Sequence, residues 1–240
     1  MASMSTKPSQ QPMAKRFDHL VSVIGGERFL QMRGLNNDLP FYICEFRASE
    51  ALEMQRLQRQ LVNTLGALNV ACLGGRGVNV LEINLYDLAI ELLMQREGNE
   101  PGVNLWQQLI GAEDTYEKDG LLELLQNVLS VKEYLVPAIG ERLRKSEFDV
   151  LFLTGIGEVF PYIRSHNVLN NLQSTAKDKP TVMFFPGEYR YSLERGASLE
   201  LFGLLHDDKY YRAFNIYETQ VGGRPACNST ASFSCRSVAP

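Results

Sequence analysis

Residues 150–153 (VLFL) and 181–185 (TVMFF) are apolar without alternation, and they constrain the fold more than any other feature of the chain. A strand with one face in water alternates polar and apolar residues. One that does not alternate must be covered on both faces, as in the interior of a parallel sheet. Between the two runs, Ile163, Val168, Leu169 and Leu172 follow at roughly helical spacing, with Pro161 placed as a first helical residue. The stretch 148–189 therefore reads as strand, glycine turn, crossover helix, strand and second glycine turn.

The rest of the chain repeats this plan. Further strands are expected at 41–46, 78–85 and 211–217. Phe17, Leu20, Val21 and Ile24 mark one helical face, which Gly25 and Gly26 interrupt before Phe29 and Leu30 continue in a second short helix. Ser49 stands where it could cap the next helix, whose buried stripe would be Met54, Leu57, Leu61, Leu65 and Leu68. Leu88 and Leu92 belong to a helix behind the second strand, residues 121–129 form a Leu-rich helix, and Pro137 opens another that ends near Lys145. Residues 98–118 read as a mobile insertion over the sheet edge, and 199–205 as a short helix. The expected architecture is α/β: a Rossmann-like three-layer sandwich with a mostly parallel sheet of about five strands.

A chain of 240 residues, 45% hydrophobic, can bury one good core. The expected domain plan is a disordered extension over 1–15, a single α/β domain over 16–218 with a helical insertion at about 98–146, and a disordered tail over 219–240. Net charge is −4, which argues against broad binding to nucleic acid. Arg142, Arg144 and Lys145 form a small basic helix end, which also suits the helix dipole. No apolar run reaches the length of a membrane span and the N-terminus has no apolar signal core, so a cytoplasmic address is expected. Cys44, Cys72, Cys227 and Cys235 are scattered, contain no CxxC pair, and read as idle thiols.

Most catalytic motifs fail. The segment 140–146 resembles a P-loop only in part, since it lacks the second glycine and precedes a strand. Gly155-Ile156-Gly157 follows a strand as a dinucleotide fingerprint should, but Phe160 occupies the third glycine position. There is no GxSxG elbow and no HExxH helix. One constellation survives at the expected carboxyl ends of the strands: Asp87, Glu158 and Glu188, with Arg164, His166, His206, Asp207 and Asp208 on neighbouring elements. Carboxylates with histidine could hold a divalent metal or act as an acid/base pair. The plainer reading has them cap helices and pair with Arg164, Arg190 and Lys209. Arg164, Ser165, Asn167, Asn170, Asn171 and Gln173 also give one helix an amide-rich face. Asn is a poor interior helix former, so the face reads as a polar network, a recognition surface or a solvated face.

Four stretches, VLEINLYDLAIELL, LFLTGIGEVFPYIRSHNVLNNLQS, PTVMFFPGEY and LFGLLHDDKYYRAFNI, together with FDHLVSVI and ERFL near the N-terminus, resemble the B component of type I BREX bacteriophage-exclusion systems over residues 17–217. The loop around Gly74 and Gly75 is longer than that family leads one to expect. The resemblance implies a small cytoplasmic subunit without an established catalytic activity, and no enzyme activity and no cofactor are expected. Its first partner would be the alkaline-phosphatase-like subunit of the system. Through it the methyltransferase and ATPase subunits would follow. It carries no catalytic residues across and no metal site. Glu158, Arg164, His166, Asn170, Asn171, Gln173, Glu188, Asp207 and Asp208 remain a candidate functional surface. The leading expectation is an assembly or adaptor subunit. The alternative is a metal- or nucleotide-dependent enzyme or switch using the acidic strand ends, and direct DNA binding is the least supported.

Overall fold

The computed structural model describes residues 8–33, 40–112, 117–192, 196–202, 205–208 and 213–219. Five parallel strands form its centre in the order β2 (Val80–Asn84), β3 (Val150–Thr154), β4 (Thr181–Ser192), β1 (Phe41–Phe46) and β7 (Phe214–Asn215). β4 outruns its parallel neighbours, and its second half pairs antiparallel with β5 (Gly196–Leu201), which pairs in turn with β6 (Leu205–Asp208).

Every residue of β1 and β3 is buried, as their largely apolar sequences require; Glu45 of β1 is the charged exception, and its carboxylate accepts the Tyr189 N–H at 2.8 Å. On one face, α1 (Met13–Ile24), α2 (Glu27–Leu30) and α3 (Ala51–Gly66) cover Tyr42, Cys44, Val150, Phe152, Val182 and Phe184. On the other, α4 (Leu85–Gln95), α5 (Leu105–Ala112), α6 (Lys118–Val128), α7 (Val136–Lys145) and α8 (Ser165–Leu172) cover Ile43, Ile83, Leu151, Leu153, Met183 and Phe185. The chain crosses from β1 to β2 by α3 on the first face. It returns through β3 to β4 by helices on the second face, as a constant crossover hand demands when the direction of travel reverses.

The expected helix at 199–205 is instead the end of β5 and the start of β6. Leu199 and Leu201 enter the core while Glu200 turns to Arg190, a period of two that a short Leu-rich window disguises. The crossover helix starts at Ser165, not Pro161. Residues 155–164 are taken up by turns that bury Ile156, Val159 and Ile163 and contain a cis Phe160–Pro161 bond. Ser49 does not cap α3; it lies inside a 3-10 turn at Ala48–Glu50, and Glu50 accepts the Arg47 N–H at 3.2 Å. The segment 98–118 contains α5 and the start of α6. Residues 1–7 and 220–240, from the two expected extensions, and 211–212 of the last expected strand lie outside the described residues; Pro8–Gln10 is a 3-10 turn and α1 begins at Met13.

Arg16 on α1 is 1% exposed and draws three remote segments together. Its guanidinium donates to the Tyr217 hydroxyl at 3.0 Å, to Glu50 Oε2 at 2.9 Å and to the Glu45 carbonyl at 3.0 Å. Cys44 Sγ lies 3.2 Å from the same hydroxyl, and burial pushes its thiol up to about 12. Removing the guanidinium leaves buried acceptors without donors, so Arg16→Met is expected to cost about 3 kcal/mol in urea unfolding. Arg33→Ala, which breaks an ion pair 66% and 53% exposed, is expected to cost no more than about 1 kcal/mol.

Candidate functional site

Where loops leave a parallel sheet toward opposite faces, a crevice opens outside the carboxyl ends of the strands. Here β1 feeds α3 on one face and β3 feeds the turns before α8 on the other. A crevice of about 400 Å³ lies between them. Its wall is apolar, made by Phe46, Ile156, Phe184, Pro186 and Phe202. Gln55, Gln58 and Arg59 reach it from α3, and Glu82, Thr154 and Glu158 from the strand ends.

The polar groups differ in their satisfaction. The Thr154 hydroxyl donates to Glu82 at 3.1 Å, and the Gln55 amide donates to Glu158 at 3.2 Å. Gln58 is 7% exposed, and its side chain makes no hydrogen bond to any described residue. Gly155 forms a close corner at this end of β3. It takes φ +72°, and a Cβ there would lie 2.2 Å from Asn84 Oδ1, which caps α4 by accepting the N–H groups of Tyr86 and Asp87. The glycine of the GxG turn thus serves packing against a helix cap. No helix begins until Ser165, so the phosphate-binding arrangement of a dinucleotide fold is missing from this turn. The P-loop-like glycine is equally structural: Gly140 is buried inside α7, where a Cβ would lie 3.0 Å from Thr175 Cγ2.

Among the described residues of the candidate surface, Glu158 alone lines this crevice, next to Gly155, Ile156 and Gly157 of the glycine turn. Glu188 lies on the β4 extension, half-buried, and binds Arg190 at 3.1 Å. His166 is buried on α8 and Asn170 is exposed on it; Arg164, the residue before its first turn, is exposed, and Asn171 and Gln173 are half-buried near its end. Asn171 donates to the Asn167 carbonyl of its own helix at 2.7 Å, so this amide serves its own helix instead of a network across elements. Asp207 and Asp208 sit on β6, and their side chains lie outside the described residues. No three His, Cys, Asp or Glu side chains among the described residues converge to hold a metal. The basic end of α7 is partly neutralised, with Arg142 paired to Glu91 and Lys145 to Glu141.

Sequence reasoning missed Gln58. The signal was present: Met54, Leu57, Leu61 and Leu65 define the buried stripe, and position 58 falls within it. A polar residue at a core position is a flag.

The opposite, amino end of the sheet has a larger open cleft of about 1160 Å³, lined by Arg76, Arg144, Asp149, Thr175 and Lys179. Asp149 is saturated there. Arg76 donates to both its oxygens at 2.6 and 2.9 Å, and the Asn79 N–H donates at 2.8 Å.

The fold and the strand-end crevice define a mostly parallel α/β protein of the kind that holds ligands outside its strand ends. The family model for BREX protein BrxB matches residues 81–216. A BREX protein BrxB from Bacillus cereus (strain H3081.97) is 31% identical over 211 residues, covering 85% of this chain and 97% of the relative. A second, from Escherichia coli O9:H4 (strain HS), is 25% identical over 202 residues, covering 84% and 90%. The chain belongs to the BrxB family of the BREX phage-defence system. No solved structure matches it. No helix among the described residues is long and apolar enough to cross a membrane.

Burial opposes ionisation of Asp149, but the Arg76 hydrogen bonds, the Asn79 N–H and the charges of Arg76 and Lys179 outweigh it and hold the carboxyl below its usual range. A folded pKa below the unfolded one gives stability that is complete above the unfolded value and is lost as pH falls through the folded value. Asp149→Asn should therefore lower the unfolding temperature at about pH 7, and the gap to the unaltered chain should close as pH falls below the ordinary carboxylate range. Thermal melts across that range read it directly.

Proposed function

We propose that the chain is a non-catalytic assembly subunit of its BREX system and binds the alkaline-phosphatase-like subunit through the outward face of α8. The observation that carries this reading is the state of Arg164 and Asn170. Both are exposed, and neither side chain makes a hydrogen bond to any described residue. A merely solvated helix face more often carries Lys and Glu, whereas Arg with amides is suited to satisfying a partner's polar groups. The other face of α8 is anchored by Val168, Leu169 and Leu172, all within the core, so the outward face is presented on a fixed support. Membership of a family belonging to a multi-component system supplies the setting for such a surface.

The test is co-purification of the tagged chain with the alkaline-phosphatase-like subunit, followed by sizing and titration. A stoichiometric complex is expected. Arg164→Ala with Asn170→Ala should weaken it by about tenfold or more, the effect of losing a central contact. Because both residues are exposed, the doubly altered chain should melt as the original does. Absence of any complex at micromolar concentration would overturn the reading, and a complex indifferent to both changes would remove α8 from the interface.

A further inference from the structure

The crevice at the strand ends contains a group that the assembly reading does not use. Gln58 has nine-tenths of its surface buried, lies against the crevice and has no hydrogen-bond partner among the described residues. It occupies a position in the α3 stripe that is otherwise apolar, so its retention needs a reason. It is not sealed in. Among the described residues only Thr181 Oγ1 is both sealed from solvent and unpartnered, so the polar atoms of Gln58, a residue of the crevice lining, keep access to solvent.

The surroundings restrict what could complete it. Phe46, Phe184 and Phe202 give an aromatic wall. Phe202 is 38% exposed and is held at φ +57°, a backbone conformation uncommon for a bulky side chain and typical of functional positions. A flat apolar ligand matches this wall. An amide offers a donor and an acceptor side by side, the complement of the N6–H and N7 edge of adenine. Glu82 and Glu158 each have one oxygen engaged, by Thr154 and Gln55 respectively, and can accept from sugar hydroxyls as carboxylates do at ribose. Two carboxylates against the single guanidinium of Arg59 disfavour phosphate. A cavity of about 400 Å³ is in the range that small-molecule sites occupy.

We propose that this crevice binds an adenine nucleoside, with its base against the phenylalanine wall, its N6/N7 edge on the Gln58 amide and its ribose toward Glu82 and Glu158. The site lies on α3 and the strand ends, apart from the outward face of α8, and does not depend on the assembly reading.

The test is isothermal titration of the full chain with adenosine, and in parallel with adenosine monophosphate. Adenosine is expected to bind with Kd below about 1 mM, and more tightly than the monophosphate. Gln58→Leu should weaken it about tenfold or more without lowering the melting temperature, since an apolar residue continues the α3 stripe. Phe202→Ser, at an exposed position, should weaken it as well and serves if the first variant fails to fold. No heat with adenosine up to about 5 mM, or binding unchanged in both variants, would overturn the proposal. Tighter binding of the monophosphate would overturn it too, because it would place a phosphate where the carboxylates stand.

Discussion

A guanidinium shut away from water must find its acceptors in the protein, and Arg16 finds them on three segments far apart in sequence. Glu45 lies near the end of β1, Glu50 immediately precedes α3, and Tyr217 belongs to the 3-10 turn after β7. A charge in such a position is stable only while all its partners hold, so α1 can dock in one register only. His19 on the same helix adds a contact to the Ile216 carbonyl at 3.1 Å, which ties the edge strand to α1 a second time. This clamp joins the β1 end, the start of α3 and the turn after the last strand. The crevice begins at that place, with Phe46 and Ala51 in its lining.

The sequence made the parallel core legible because burial on both faces leaves an unmistakable run of apolar residues. β1, β3 and β4 lie where such runs occur, and the α3 stripe buries Met54, Leu57, Leu61 and Leu65 as its spacing indicates. Legibility fell where the local pattern had two readings. Residues 199–205 contain enough leucines for a helix, yet strand pairing with the β4 extension separates Leu199 from Glu200 by alternation. The candidate site was legible only by place. Glu158 falls at a strand end in sequence and in space, whereas Glu188 is carried away because β4 continues as a strand where a turn was expected. Gln58 belongs to no motif, and its importance depends on what the fold leaves beside it.

Asp149 and Gln58, at opposite ends of the sheet, differ in how far the protein satisfies them. At the amino end, Asp149 is met by a bidentate arginine and a backbone N–H, a structure complete without a ligand. At the carboxyl end, the Gln58 amide is incomplete. An orphaned polar atom alone does not define a site, as Thr181 Oγ1 illustrates: it lacks a partner but is sealed from solvent. What distinguishes Gln58 is access. A polar residue in an otherwise apolar stripe, lining the same crevice as an aromatic at positive φ, is the pattern expected where a chain departs from its own packing rules for a functional reason.

The two proposed surfaces are close in the chain. The turns at 155–164 form one wall of the crevice through Ile156 and Glu158, and they deliver the chain to Arg164 and the start of α8. Ile156, Val159 and Ile163 fix those turns in the core, so a ligand against Glu158 would not reach α8 through a loose loop. Packed segments of this kind transmit change only if they have two arrangements that the ligand binds unequally. If the turns have one arrangement, nucleoside and partner bind independently. If they have two, the nucleoside alters partner affinity by some factor, and the partner must alter nucleoside affinity by the same factor. Titrating adenosine into the chain alone and into its complex therefore measures the same coupling that would appear as a change in assembly, and it does so without any assay of phage defence.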